Sequence, residues 1–194
     1  MRLASLLSFA LCAAQGALCL NVLIGNDDSW GTANIRALYL AVKAAGHQAL
    51  IAAPAMQQSG TDGLRFPPTK LARKGAFGLV DAGAPAEGHE KDDGEIYIKF
   101  LVVANSFHPS DHIWYINSTP ASSIEYGLDH LATKYFGGPP DLVLTGVNQG
   151  RNVGLAYLVS GTYGAAKYAV ENGIPAIAFS TENSTEREIG RAHV

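Results

Sequence analysis

The sequence is poor in cysteine and in net charge. Its two cysteines, Cys12 and Cys19, both lie near the amino terminus, so a disulfide-stabilised core is not expected in the rest of the chain. The 194 residues carry a net charge of −3, which gives no basic surface for a nucleic-acid polymer or an anionic membrane. A composition with 47% apolar and 16% charged residues is typical of one globular domain. Any anionic ligand must therefore be held locally, by a metal or by backbone N–H groups.

Several catalytic motifs are also missing from the sequence. It contains no Walker A loop, no G-x-G-x-x-G fingerprint after a strand, no His-Glu-x-x-His pair and no nucleophilic-serine elbow. The enzyme classes built on those motifs are set aside. His108 and His112 have the spacing of a helical ligand pair, but Pro109 lies between them and would break the helix, so solvated loop histidines are expected.

The two ends of the chain are expected to lie outside the fold. A basic start, an apolar stretch at 3–14 and small residues before Leu20 predict a signal peptide over 1–19, too short to span a bilayer; a buried first helix is the alternative. Its removal predicts a protein that is secreted, or located in the vacuole or cell wall, without membrane contact. Residues 188–194 lack apolar periodicity and match the translation of a sequencing adapter, so the domain is expected to cover 20–187 and to be incomplete at its carboxyl end.

An apolar run in the first half of the chain ends at two adjacent aspartates. Residues 21–25 are predicted to form a short buried strand, with Asp27 and Asp28 at its carboxyl end. That edge of an open α/β sheet is where ligands bind, and two neighbouring carboxylates repel each other unless a cation lies between them. Oxygen ligands of this kind favour Mg²⁺, Mn²⁺ or Ca²⁺. The alternative is that the aspartates only cap the helix that follows.

The remaining elements predict an α/β fold with a mainly parallel sheet, in a Rossmann-like arrangement of three α/β/α layers. Helical spacing from Ile35 to Val42 separates the first strand from a second at 48–53. The loop after that second strand projects at the edge that carries the aspartates, so Ser59 is a candidate ligand, with a simple turn as the alternative. Val80 and the alternating stretch at 96–103 are predicted to be hairpin or edge-strand residues.

Three more strands and a helix between them are predicted in the second half of the chain. Strands are predicted at 113–116, at 141–145 and at 174–180, the last of them short and buried. A helix is expected to begin after Asn117, with Ser118 or Thr119 as its cap.

The stretch from Gly146 to Thr162 is the second informative one. Glycines recur every fourth residue up to Gly154, a pattern that is incompatible with a regular strand and lets the backbone approach a ligand closely. Ser160-Gly161-Thr162 then opens a helix whose free N–H groups and dipole favour a phosphate. A glycine-rich connection that ends in an ordinary Ser or Thr cap is the alternative.

Together these residues resemble the SurE family of metal-dependent phosphatases and nucleotidases, in a secreted fungal-type form. The resemblance covers about Leu20 to Ser180, in the family's order. It rests on these motifs: Asn26-Asp27-Asp28, Ser59-Gly60, Thr119-Pro120, Gly146-Val147-Asn148, Gly150, Asn152 and Ser160-Gly161-Thr162.

The resemblance implies a site and an activity. One divalent metal, Mg²⁺ or Mn²⁺ with Ca²⁺ as a further candidate, would be bound by Asp27, Asp28, Ser59 and Asn148. The phosphate of the substrate would be held by Asn152, Ser160, Gly161 and Thr162. Asp27 or Asp28 would accept the proton of the attacking water. The implied substrate is a small phosphomonoester, a nucleoside monophosphate or a broader set, and the full-length form is expected to be a homo-oligomer.

Two departures from the family pattern set further expectations. Family members usually have glycine after the two aspartates, whereas Ser29-Trp30 stands here, so a changed pocket rim and a stacking role for Trp30 are expected. Family chains also continue beyond the strand at Ser180, which predicts a chain truncated at its carboxyl end. The alternative functions are a secreted nucleotide- or phosphate-binding module without turnover, and an inactive fragment.

Overall fold

The computed structural model describes residues 19–89, 112–151 and 154–182. Several predictions lie outside the described residues: the signal peptide up to residue 18, the hairpin or edge-strand stretch at 96–103, His108, Asn152 and the tail at 188–194. The described strands and helices are β1 (Asn21–Gly25), α1 (Ala33–Ala44), β2 (Gln48–Pro54), β3 (Glu87–His89), β4 (Ile113–Ile116), α2 (Pro120–Tyr126), α3 (Thr133–Phe136), β5 (Leu142–Gln149), α4 (Gly161–Glu171) and β6 (Ala176–Thr181).

Six strands form one sheet in the order β3-β4-β2-β1-β5-β6 within the described chain. Every neighbouring pair is parallel except β3 and β4, which run antiparallel. In the register of the central strands, Leu23 lies beside Leu50 on one side and beside Val143 on the other. The predicted mainly parallel α/β sheet is confirmed. After β4 the chain crosses to the other side of β1 to form β5, so the strand order reverses beside β1. The Asp-Asp loop lies at the carboxyl end of β1, next to this reversal.

The alternating side chains of β1 separate two apolar layers. Val22 and Ile24 pack with Ile35 and Tyr39 of α1 on one face of the sheet. Leu23 packs on the other face, in a cluster that draws on α2 and α4; its members are Leu50, Ala52, Ile116, Ile124, Leu131, Val143, Ala165 and Ala169. Helices cover both faces of the sheet, and the buried strands accordingly carry apolar side chains on both sides, as is usual in parallel sheets. The predicted three-layer α/β/α arrangement is therefore the observed one.

The helix α2 begins with a side-chain cap, whereas α1 does not. Thr32 precedes α1, without a side-chain capping bond. Thr119 precedes α2 and accepts a hydrogen bond from the Ser122 N–H, while Pro120 occupies the first turn, where its missing N–H is not needed. Of the two predicted caps for this helix, Thr119 is the observed one. A π-helical turn at Gly127–Ala132 then joins α2 to α3.

Two strand predictions were wrong in part. The glycine pattern predicts a strand that ends at Thr145, but β5 continues to Gln149, because Asn148 and Gln149 pair with Ser180 and Thr181 of β6 across a register shift. The last strand was predicted to be buried, yet five of the six residues of β6 are exposed. Its position at the sheet edge explains this, since β6 pairs with β5 alone among the described strands. Val80 belongs to no strand and forms an isolated bridge with Gly75.

No helix in the described part of the chain has the length and apolarity needed to cross a membrane.

Candidate metal and phosphate site

The loop after β1 is fixed by a buried asparagine. The Asn26 amide donates to the Ser29 carbonyl oxygen over 3.0 Å and to Thr32 Oγ1 over 3.2 Å, and its own oxygen accepts from the Ser29 N–H. Trp30 is only 1% exposed and packs on Tyr115, with ring centroids 5.9 Å apart. The expected stacking role for Trp30 at the pocket rim is therefore wrong, because the indole belongs to the core.

Asp27 points at the start of α4, although it precedes α1 in the chain. Its Oδ1 accepts a hydrogen bond of 2.7 Å from the Thr162 hydroxyl, and the side chain is 2% exposed. Burial raises the pKa of Asp27, and the Thr162 hydroxyl and the N–H groups of Thr162 and Gly161 lower it by less. The alternative that Asp27 caps the helix after it is not what the structure has, since Thr32 precedes α1 and Asp27 serves a different helix.

Asp28 lies across the boundary between β1 and β5 from the end of β5, where Asn148 is found. The Asp28 Oδ2 accepts from the Gln149 N–H over 2.8 Å, which brings the carboxylate beside the residue that follows Asn148. The Asn148 Oδ1 lies 3.4 Å from Thr162 Oγ1, the same hydroxyl that contacts Asp27. Asp28 is 5% and Asn148 6% exposed. Oxygen atoms from two separate loops are thus brought together at one edge of the sheet.

Ser59 lies on the loop after β2, which we define as residues 56–69 and call the Ser59 loop. The Gln58 N–H donates to the Asp27 carbonyl oxygen over 2.7 Å, so this loop is held directly against the Asp-Asp loop. Ser59 itself is exposed. The Ser59 loop and the Asp-Asp loop therefore lie side by side at the predicted edge of the sheet, and the hydrogen bond that joins them comes from Gln58, next to Ser59.

The predicted phosphate residues that the structure describes lie at the first turn of α4. Ser160 precedes this helix, and its Oγ accepts from the Tyr163 N–H over 3.1 Å. Gly161 packs so closely that an added Cβ would be 2.9 Å from Pro120 Cγ and 3.0 Å from both Asp27 Cβ and Thr61 Oγ1. Only glycine fits between these loops, and its N–H faces the carboxylate of Asp27. Asn152 is outside the described residues.

The donor set fits a hard divalent cation better than a soft one. Within the described ranges, no group of three or more His, Cys, Asp or Glu side chains is close enough to hold a metal. A cation at this edge would therefore be held by the Asp27 and Asp28 carboxylates together with neutral oxygens such as Asn148 Oδ1. Two adjacent buried carboxylates and amide or hydroxyl oxygens suit Mg²⁺, Mn²⁺ or Ca²⁺.

Comparison with known proteins identifies the family. A family model described as "Survival protein SurE" matches residues 22–193. The chain belongs to the SurE family. An acid phosphatase of Yarrowia lipolytica is 40% identical over 166 residues, which are 84% of this chain and 42% of that protein. The 5'-nucleotidase SurE of a Nostoc species is 32% identical over 168 residues, 87% of this chain and 52% of that protein.

A solved SurE structure has the same fold. The crystal structure of the SurE protein from Aquifex aeolicus superposes with a TM-score of 0.58 at 24% sequence identity, over 85% of this chain and 52% of that chain. This chain thus spans about half the length of the SurE relatives that it matches.

The orienting roles of two polar residues of this SurE family member, Thr145 and Asn26, were not predicted, although Asn26 belongs to the Asn26-Asp27-Asp28 motif. Thr145 is fully buried, and its hydroxyl donates to the Thr162 carbonyl oxygen over 2.8 Å, which fixes the start of α4 on β5. Asn26 fixes the Asp-Asp loop as described above. Both residues directly follow a run of apolar strand residues in the sequence. A polar side chain buried at such a position needs a hydrogen-bond partner, and this could have indicated their roles.

Proposed function

We propose that the protein is a divalent-metal-dependent phosphomonoester hydrolase that acts on nucleoside monophosphates. The observation that supports this most directly is that Asp27 and Asn148 both contact the Thr162 hydroxyl in the first turn of α4, while Asp28 accepts from the N–H of Gln149, next to Asn148. SurE proteins in general depend on a divalent metal. The relatives named as an acid phosphatase and as a 5'-nucleotidase support the same reaction class.

The proposed roles divide between the two sides of the site. Asp27, Asp28, Ser59 and Asn148 would hold the cation, and the cation would supply a Lewis acid for a phosphoryl oxygen. Ser160, Gly161, Thr162 and Asn152 would bind the remaining phosphoryl oxygens at the positive end of the α4 dipole.

The reaction itself is a transfer of the phosphoryl group to water. The water oxygen forms a bond to phosphorus, the bond from phosphorus to the ester oxygen breaks, and the leaving alkoxide is protonated. Asp27 or Asp28 would accept the proton that the water loses, and the leaving alkoxide would take up a proton from that carboxylic acid through solvent, which restores the carboxylate. Donors fixed beforehand around the phosphoryl oxygens stabilise the charge that develops on them.

Phosphate release from nucleoside monophosphates tests the proposal. We expect release with Mn²⁺ or Mg²⁺ and none with excess chelator. Binding of the nucleotide without release would instead favour a phosphate-binding module, and neither binding nor release would favour an inactive fragment.

We also propose that residues 1–19 are removed on export and that the domain covers 20–187. The mass of the protein recovered from the culture medium tests this, since an intact Met1 would contradict the cleavage.

A further inference from the structure

Three buried hydroxyl groups tie the Ser59 loop to the junction between β4 and α2. Thr119 Oγ1 donates to the Leu64 carbonyl oxygen over 2.5 Å, and Ser118 Oγ donates to the Phe66 carbonyl oxygen over 2.5 Å. Ser122 Oγ accepts from the Phe66 N–H over 2.8 Å. All three hydroxyl-bearing residues are less than a tenth exposed, whereas their partners Leu64 and Phe66 are each 56% exposed, so the hydroxyl groups anchor a surface loop to the buried side of the junction.

Further hydrogen bonds continue from Leu64 to the Asp-Asp loop. The Leu64 N–H donates to the Thr61 carbonyl oxygen over 3.0 Å. The Thr61 hydroxyl donates to the Gln58 carbonyl oxygen over 2.7 Å, and the Gln58 N–H donates to the Asp27 carbonyl oxygen over 2.7 Å. Ser59 lies between Gln58 and Thr61, inside this series. The path of the Ser59 loop is therefore fixed at one end by α2 and at the other by the backbone of Asp27.

From this series of contacts we infer that Thr119 and Ser122 are positioning residues for the candidate metal site. They fix the path of the loop that carries Ser59 and that is bonded to the backbone of Asp27 through Gln58. Groups that orient metal ligands without touching the metal commonly change its affinity about 10- to 100-fold when they are removed. This inference rests on the proposed function, because it assumes that Asp27 and Ser59 bind a cation.

The two residues differ in what else they do. Thr119 also caps α2, since its Oγ1 accepts from the Ser122 N–H over 3.2 Å, so its removal weakens the helix as well as the loop contact. Ser122 is not the cap. Its hydroxyl bonds to Phe66 and contacts Thr119 Oγ1 over 3.1 Å, so Ser122→Ala removes the loop bonds and keeps the capping oxygen of Thr119. Ser123 offers a matched control in the same turn. It is fully buried, and its hydroxyl donates to the Thr119 carbonyl oxygen inside α2 over 2.9 Å.

The test measures Mn²⁺ affinity by titration calorimetry on the 194-residue protein, well below the melting temperature of each variant. We expect Ser122→Ala and Thr119→Val to raise the Mn²⁺ dissociation constant about tenfold. Ser123→Ala and Thr119→Ser should stay within about twofold of the parent, because they leave the loop contacts in place.

Two results would overturn the inference, and they differ from each other. If Ser122→Ala and Ser123→Ala bind Mn²⁺ equally well, the hydroxyl groups of Ser118, Thr119 and Ser122 only stabilise the fold, while the proposed function stands. If the parent protein itself binds no Mn²⁺, the proposed metal site is wrong and the positioning role is lost with it. Should Thr119→Val fail to fold, the comparison of the two serine variants decides alone.

Discussion

Thr162 donates its hydroxyl hydrogen to Oδ1 of Asp27 over 2.7 Å, a bond between residues 135 positions apart in the chain. A threonine hydroxyl has one hydrogen to donate. The family resemblance implied a phosphate contact for Thr162, and a phosphate oxygen would compete with Asp27 for that single donor. The contact therefore links the proposed cation side of the site to the proposed phosphate side.

Removal of this hydroxyl is expected to alter the metal side of the site. The Thr162 hydroxyl lowers the pKa of Asp27, so Thr162→Val should raise that pKa further. Because a carboxylate binds a cation only when it is deprotonated, half-maximal Mn²⁺ binding should move to higher pH. Mn²⁺ titrations over a pH series measure the shift. Thr162→Ser keeps the hydroxyl and serves as the control; equal pH profiles for the Val and Ser variants would show that the contact does not act on Asp27.

The burial of Asp27 predicts a pH-dependent stability. Its pKa in the folded protein is raised above the ordinary aspartate value of the unfolded chain, mainly by desolvation. The folded protein therefore favours the protonated form of Asp27 more than the unfolded chain does. With a chelator present to remove divalent metal, the free energy of unfolding should fall as the pH rises through the raised pKa. Mn²⁺ should reverse the fall, since it binds the deprotonated form. Urea unfolding of the parent and of Asp27→Asn checks this, and a slope that persists in Asp27→Asn would assign it to another group.

The affinity for Mn²⁺ is expected to depend more on the negative charge of Asp28 than on its hydrogen bond to the Gln149 N–H. Asp28→Asn retains an oxygen that can accept from the Gln149 N–H but removes one negative charge. We expect Mn²⁺ affinity to fall at least about tenfold and excess metal to restore only part of the rate. Asp141→Asn is a matched control, because Asp141 accepts the Asn21 N–H over 2.8 Å at the opposite end of the same strands. If Asp28→Asn equals the parent at every metal concentration, its carboxylate has only a structural role.

Ser29 adopts a backbone conformation that favours glycine. Its φ is +117°, at the position where the family usually has glycine, and its hydroxyl accepts from the Gly31 N–H over 3.2 Å. Ser29→Ala loses that bond and keeps the strained backbone, whereas Ser29→Gly loses the bond and relieves the strain. We expect the glycine variant to be more stable than the alanine variant by about 1 kcal/mol in urea unfolding. Equal stabilities would show that the backbone at residue 29 is not strained.

The parallel sheet and the edge that carries the site were predictable from the sequence. Apolar runs such as 21–25 and 48–53 bounded by turn residues predict buried strands, and a helix between them requires a parallel crossover. Parallel strands end at the same edge, which is why Asp27 and Asn148 could be placed together although they are far apart in the chain.

The contacts that orient the site were not predictable in the same way. The bond between Thr119 and Leu64 joins residues 55 positions apart, and it depends on the path of an irregular loop that has no periodicity. Burial of Trp30 and exposure of β6 were also missed, because an apolar residue type does not say whether its element lies at the centre or the edge of a sheet.

The most direct test of the central claim is a joint titration of Mn²⁺ binding and of phosphate release from a nucleoside monophosphate. We predict one Mn²⁺ site per chain, with a rate of release that rises in proportion to its occupancy and returns to zero on addition of chelator. Release that reaches its full rate without bound divalent metal would contradict the account, as would full occupancy of the site without any release.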